Sequence, residues 1–272
     1  MLRRLLKYEF AATARYILPL LALLFVMSGA AALSIRLLGS GYTGRAAAIL
    51  AAISVVLFFL SVMALAAVTL VVVVYRFYKN LLGPEGYLMH SLPVSVHPLI
   101  WSKLITALCW FILTGLCIYA CVFTVAFRAE VWSEVLSELR LLFERLSAAY
   151  GIGAAELLSV VLKLALLLLL GTASSILLFY ASLAIGHSFN RYKLLASAGI
   201  FLGLGLLSQL VTLLLALITG YSLRGFVTVL NLRSLAQLGH ALLSGGILLN
   251  AAWCVILYLL TAHMLGRRLN LE

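Results

Sequence analysis

The chain has 272 residues, of which 65% are hydrophobic and only 10% charged, with a formal net charge of +11 at pH 7. Soluble domains average about 25% charged residues, so a water-soluble enzyme or binding module is excluded by composition. The positive balance is not a nucleic-acid footprint, because no soluble domain is present to display a basic face; it belongs to topology and to contact with anionic headgroups.

The apolar residues fall in unbroken blocks. A hydrocarbon core of ~30 Å needs about 20 apolar residues at helical rise, and lipid offers no partner for an open backbone hydrogen bond. Six blocks meet that length: 16–35, 46–75, 104–127, 157–186, 194–218 and 241–265. Alternating segments of about 10 residues, the mark of a β-barrel, are absent. The expected fold is therefore an all-α integral membrane bundle of six transmembrane helices forming a single transmembrane domain over 1–272.

In chain order, residues 1–16 come first. Leu2, Leu5, Leu6 and Phe10 share one helical face while Arg3, Arg4 and Lys7 take the others. That pattern predicts an interfacial helix on the cytoplasmic leaflet before the chain turns into the membrane. Arg3, Arg4 and Lys7, the apolar run and Ser28-Gly29-Ala30-Ala31-Ala32 loosely imitate a secretory signal, but the run is long enough to cross and five more spans follow.

With six spans, both termini share a side with the loops 76–103 and 187–193. That side carries eleven Lys and Arg, the other seven, and four of the lysines (Lys7, Lys79, Lys103, Lys193) lie on the first side with none in the opposite loops. The richer side is assigned to the cytoplasm of a plasma-membrane protein. Five of the eight acidic residues lie between Glu130 and Glu156 on the other side.

Residues 76–103 join the second and third spans. Arg76–Leu82 extends the second helix toward water, and Gly83-Pro84 breaks it. Glu85–Ser91 is long enough for two helical turns, with an acid near the positive end of the dipole. Pro93 ends that piece, Ser95 suits an N-cap, and Pro98 falls in the first turn of the third span. The product is a short helix carrying Tyr87, Leu88 and Met89 across the cytoplasmic face.

Between the third and fourth spans, within 128–156, Trp132, Leu136, Leu139, Phe143 and Leu146 step by four and three, with Glu130, Glu134, Glu138, Arg140, Glu144 and Arg145 elsewhere. This predicts an extracellular amphipathic helix, which either rests on the outer leaflet or caps the bundle, or else makes an external dimer contact or a lid over the exit.

Few polar groups enter the spans. Lys163 either snorkels to the outer interface or faces a polar cavity where it would attract an anion; Gln209 and Asn250 either line that cavity or bond between helices. Gly199 and Gly203 form a G-x-x-x-G suited to close helix packing. Cys109, Cys117, Cys121 and Cys254 all sit in spans and read as packing residues. The five histidines do not group into a zinc site, and there is no H-E-x-x-H and no P-loop. Ser244-Gly245-Gly246 with His240 or His263 reads as close packing rather than as a hydrolase. No catalytic or metal-binding residue is expected on this chain.

Phe77-Tyr78-Lys79, Gly83-Pro84-Glu85-Gly86-Tyr87-Leu88, Leu92-Pro93-Val94-Ser95 and Ser102-Lys103-Leu104 together resemble the loop of Gram-positive ABC transporter permeases of the ABC-2 type. Position 84 is usually acidic in that family, so Pro84 departs from the pattern. The motif covers about thirty residues; the rest of the chain agrees in architecture. The resemblance implies a permease that is not itself an enzyme. It would pair with a second permease subunit, identical or related, and with a separate ATP-binding subunit that holds ATP and Mg. The loop helix would be the coupling helix, with Tyr78, Glu85, Gly86, Tyr87 and Leu88 at the ATPase contact. Export of a peptide, a drug, a lipid or a polysaccharide would all fit. A membrane-anchoring or assembly subunit, or an ATPase-independent channel, is the competing class; neither has use for a coupling helix.

Overall fold

The computed structural model describes residues 2–39, 44–83, 96–126, 134–138, 140–141, 144–145, 154–189, 192–224 and 232–267. Among these residues the chain is helical with no strand. Six long helices carry it: α1 (Leu2–Gly39), α2 (Arg45–Phe77), α3 (Val96–Ala126), α4 (Ala154–Gly186), α5 (Lys193–Arg224) and α6 (Leu232–Arg267). Each contains a stretch long and apolar enough to cross a membrane. Six helices long and apolar enough to cross a membrane make the chain a multi-pass membrane protein.

Two compact units divide it: Met1–Arg76 with Pro98–Leu139, and Phe77–His97 with Arg140–Glu272. In the first, Ile17, Leu21, Leu24 and Ala31 of α1 meet Phe58 and Leu65 of α2 and Trp110 and Cys121 of α3. Cys121 is 1% exposed in this core, with Cys117 packed against it, so both serve as small apolar fillers.

The sequence pattern predicts a break near residue 16, and α1 has none: it runs unbroken from Leu2 to Gly39 with Pro19 inside. The physical reason is one buried stripe that crosses the expected boundary. Glu9, Thr13, Ile17, Leu21 and Leu24 are all buried at steps of four, four, four and three. The amphipathic pattern of the first turns survives within this helix, since Arg3, Arg4 and Lys7 are exposed and Leu5, Leu6 and Phe10 are half-buried.

In the second unit α4 packs on both α5 and α6. Ala173, Ile176, Leu177, Tyr180, Ala181 and Ala184 form its buried stripe, and Leu257, Thr261 and Leu265 that of α6. The connection from α4 to α5 is tight. Tyr192 takes a left-handed φ of 58°, and a Cβ added at Gly186 would lie 2.6 Å from the Cα of Ser197, so only glycine admits this approach.

The segment where the sequence predicts an outer amphipathic helix is described in part. Residues 134–138, 140–141 and 144–145 are helical and exposed, with Arg140 Nε donating to Glu144 Oε1 at 3.0 Å. Of the predicted seam, Leu136 is exposed; Trp132, Leu139, Phe143 and Leu146 lie outside the described residues.

Candidate functional site

The loop that the sequence singles out starts from a stem with unusual geometry. After Phe77 the helix widens into a π-helical turn over Tyr78–Leu82, closed by the Gly83 N–H donating to the Tyr78 carbonyl at 2.8 Å. Widening rotates the last residues relative to an α-helix, and isolated π turns recur at functional positions. Phe77, Asn80, Leu81 and Leu82 are buried, so this segment packs on protein instead of extending into water as the sequence suggested. The helix does end at Gly83 as expected. A Cβ there would come 2.9 Å from the Lys79 carbonyl oxygen, which fixes glycine at the stop.

Two ring contacts hold the stem to the far end of α4. Phe77 stacks on Tyr180 with centroids 3.9 Å apart and planes 7° apart, and both side chains are fully buried. Tyr78, the one predicted contact residue that is described, sets its ring 5.2 Å from that of His187. His187 is buried, and among the described residues its Nε2 has no hydrogen-bond partner. Burial, with a smaller contribution from nearby Lys193, lowers its pKa below the ordinary 6.5, so the neutral ring is favoured. On the returning side His97 Nδ1 and Tyr258 Oη of α6 are hydrogen-bonded at 2.7 Å. Both stems of the loop are therefore fastened to the second unit. Glu85, Gly86, Tyr87 and Leu88 lie outside the described residues.

A second cluster lies in the first unit. Glu9 of α1 accepts from Arg76 Nε of α2 at 3.1 Å and from Lys103 Nζ of α3. Glu9 and Lys103 are buried, and four residues along α1 Thr13 accepts from Trp110 Nε1 at 2.7 Å. Three helices are thus joined through one carboxylate. Buried charges persist only when paired and hydrogen-bonded, as these are. Arg76 is the last residue of the first unit and Phe77 the first of the second, so the chain passes directly from this ionic cluster to the stacked stem.

The predicted polar residues of the spans separate into two places. Lys163 Nζ donates to His240 Nδ1 at 3.2 Å, which puts the imidazole proton on Nε2. Gln209 and Asn250 come together elsewhere, in a groove of about 610 Å³ between α4, α5 and α6, where Ser175, Ser208, Phe201 and Trp253 join them. Lys163 does not line it. Gly199 and Gly203 face open space among the described residues; the close helix contact is at Gly186 instead. No group of three His, Cys, Asp or Glu able to hold a metal occurs among the described residues.

The Glu9 cluster, the π-helical stem and the His187 contact were not anticipated. One signal was available: Glu9 is the single acidic residue before Glu85.

Comparison with known proteins returned no matching family model, no matching curated protein and no matching solved structure.

Proposed function

We propose that this chain is the permease subunit of an ATP-driven ABC-2 type exporter of the plasma membrane, with both termini cytoplasmic. It would work beside a second permease subunit and a separate ATP-binding subunit that carries ATP and Mg. Glu85–Ser91, with Glu85, Gly86, Tyr87 and Leu88, would form the coupling helix, and Tyr78 would stand at its stem.

The observation that carries this reading is the fastening of both loop stems. A coupling element must transmit force from a partner to the spans, and a loop that hinged freely at its ends could not. Here one stem is locked by Phe77 on Tyr180 and by Tyr78 on His187, the other by His97 on Tyr258. A push on the loop is delivered to α4 and α6, which also line the polar groove. An anchoring subunit or a self-sufficient channel has no need of such a mounting. Rocking of packed helices is the ordinary way such a push becomes alternating access.

The test is affinity purification of the tagged chain from its native membrane in mild detergent, beside a Tyr87→Ala/Leu88→Ala variant. The expected result is a stoichiometric ATP-binding cassette protein with the wild type and its loss with the variant. A well-folded chain that brings down no ATPase in either sample overturns the proposal.

A further inference from the structure

The groove between α4, α5 and α6 has a chemistry that narrows what it can hold. Its volume, about 610 Å³, falls inside the roughly 300–1,000 Å³ of small-molecule sites. None of its lining residues among those described is ionisable. A charged ligand would therefore be stripped of water with no described charge to pair it.

The polar groups that remain form a specific pattern. Ser174 and Ser175 both donate to the Gly171 carbonyl at 2.9 Å, Ser208 to Gly205 at 2.7 Å and Thr212 to Ser208 at 2.9 Å. Each hydroxyl proton is thus spent on its own helix, and only oxygen lone pairs are turned outward. Asn250 gives one N–H to the Gly246 carbonyl at 3.2 Å and keeps its second N–H and its Oδ1. Gln209 is exposed, and its side chain makes no hydrogen bond to another described residue. A primary amide left bare in hydrocarbon is costly, so an occupant that meets it is favoured. An occupant must supply hydroxyl-type donors to the row of oxygens and accept from the two amides, without charge.

The apolar part of the lining completes the description. Trp253 and Phe201 offer flat faces, and Phe201 is held in place by stacking on Phe179 with centroids 4.5 Å apart. The C–H face of a sugar ring packs on such surfaces. Leu202 and Leu206 are exposed along the same groove, where an alkyl chain can run.

We propose that this groove binds an uncharged, polyhydroxylated amphiphile, a glycolipid-like molecule whose sugar hydroxyls engage Gln209 and Asn250 while its chain follows α5. The inference deepens the transporter reading by naming a cargo class, and rests on that reading only for the role of cargo; the binding site does not depend on it.

The test uses the full chain in lipid nanodiscs and radiolabelled octyl glucoside, with protein-free nanodiscs giving the partition background. Saturable binding at one site per chain is expected. Unlabelled octyl glucoside should compete, whereas anionic octanoate and zwitterionic octylphosphocholine, of equal chain length but bearing ionic groups, should not. Gln209→Leu/Asn250→Leu should weaken binding on the order of tenfold or more, since one to two amide hydrogen-bond sets are lost. Gly205→Phe provides a second variant. Gly205 lines the groove and a Cβ there meets no described atom, so a side chain can be started there and a ring is expected to fill the groove, with monodispersity checking that the fold is kept. Undiminished binding by monodisperse Gly205→Phe, equal competition by the ionic analogues, or no saturable component would each overturn the proposal. Co-purification of an ATPase without glycoside binding would remove this inference and leave the transporter reading intact.

Discussion

Replacing Glu9 by Gln isolates the ionic cluster that joins α1, α2 and α3. The carboxylate is 9% exposed at its side chain, the Lys103 ammonium 5% and Arg76 22%. Gln is the same size, so packing is kept and only the charge is lost. Removing one member of a buried pair costs roughly 3–5 kcal/mol. Arg76 retains a route to water and can re-solvate, so most of the loss falls on Lys103, which has none. The expected destabilisation is about 3 kcal/mol, on the order of a hundredfold in the folded-to-unfolded ratio. Denaturant unfolding of the reconstituted chain, followed by intrinsic fluorescence, reads it. Lys103→Met alone should also destabilise, and the double variant should recover at least about 1 kcal/mol against the sum of the singles, as coupled sites do. Loss below about 1 kcal/mol for Glu9→Gln, or strict additivity in the cycle, would refute the argument that this carboxylate compensates a buried cation.

Other outcomes follow from the same geometry. Gly186→Ala sets a methyl 2.6 Å from the Ser197 Cα, against an ordinary contact of about 3.5–4.0 Å, so α5 must retreat by roughly 1 Å at a cost of about 1–3 kcal/mol. Gly199→Ala, which meets no described atom, should be neutral or mildly stabilising in the same unfolding assay. For His187 the folded pKa lies below the unfolded one, so its contribution to stability is full above the ordinary 6.5 and is lost as pH falls through the folded value. The pH slope of unfolding in that acidic window should shrink in His187→Phe; an unchanged slope would assign it to another group. Glu85→Arg should leave the chain inserted while uncoupling ATP hydrolysis from transport; transport at the wild-type level would take Glu85 out of the contact.

What the sequence made legible, and what it did not, divides along one physical line. The spans are readable because the requirement to cross a hydrocarbon core acts on each helix alone, and uninterrupted apolar runs satisfy it. Gly83 was readable as a stop because Gly-Pro is a local helix breaker, and the structure adds backbone crowding at Lys79 that only glycine tolerates. The Glu9 cluster was not, because its partners sit 67 and 94 residues away and meet it only through the packing of three helices. Gly199 and Gly203 illustrate the converse. Their spacing permits a close approach, but whether a neighbour uses it depends on helix rotation, and the approach is made at Gly186. Gln209 and Asn250 were recognised as costly polar groups, yet their meeting in one groove, and the separation of Lys163 from it, depend on the rotation of α4, α5 and α6. The π turn is likewise invisible in Tyr78–Leu82, since burial of Asn80, Leu81 and Leu82 stabilises it and no local propensity does.

Site-specific photo-crosslinking from the loop tests the central claim most directly. A benzophenone amino acid at position 87 would be activated in native membranes and the products identified by mass spectrometry. The account predicts a single major adduct to a protein with an ATP-binding cassette, suppressed when Glu85 is replaced by Arg. Adducts confined to lipid, or to other residues of this chain, would contradict the coupling role of the loop and with it the assignment as a transporter permease.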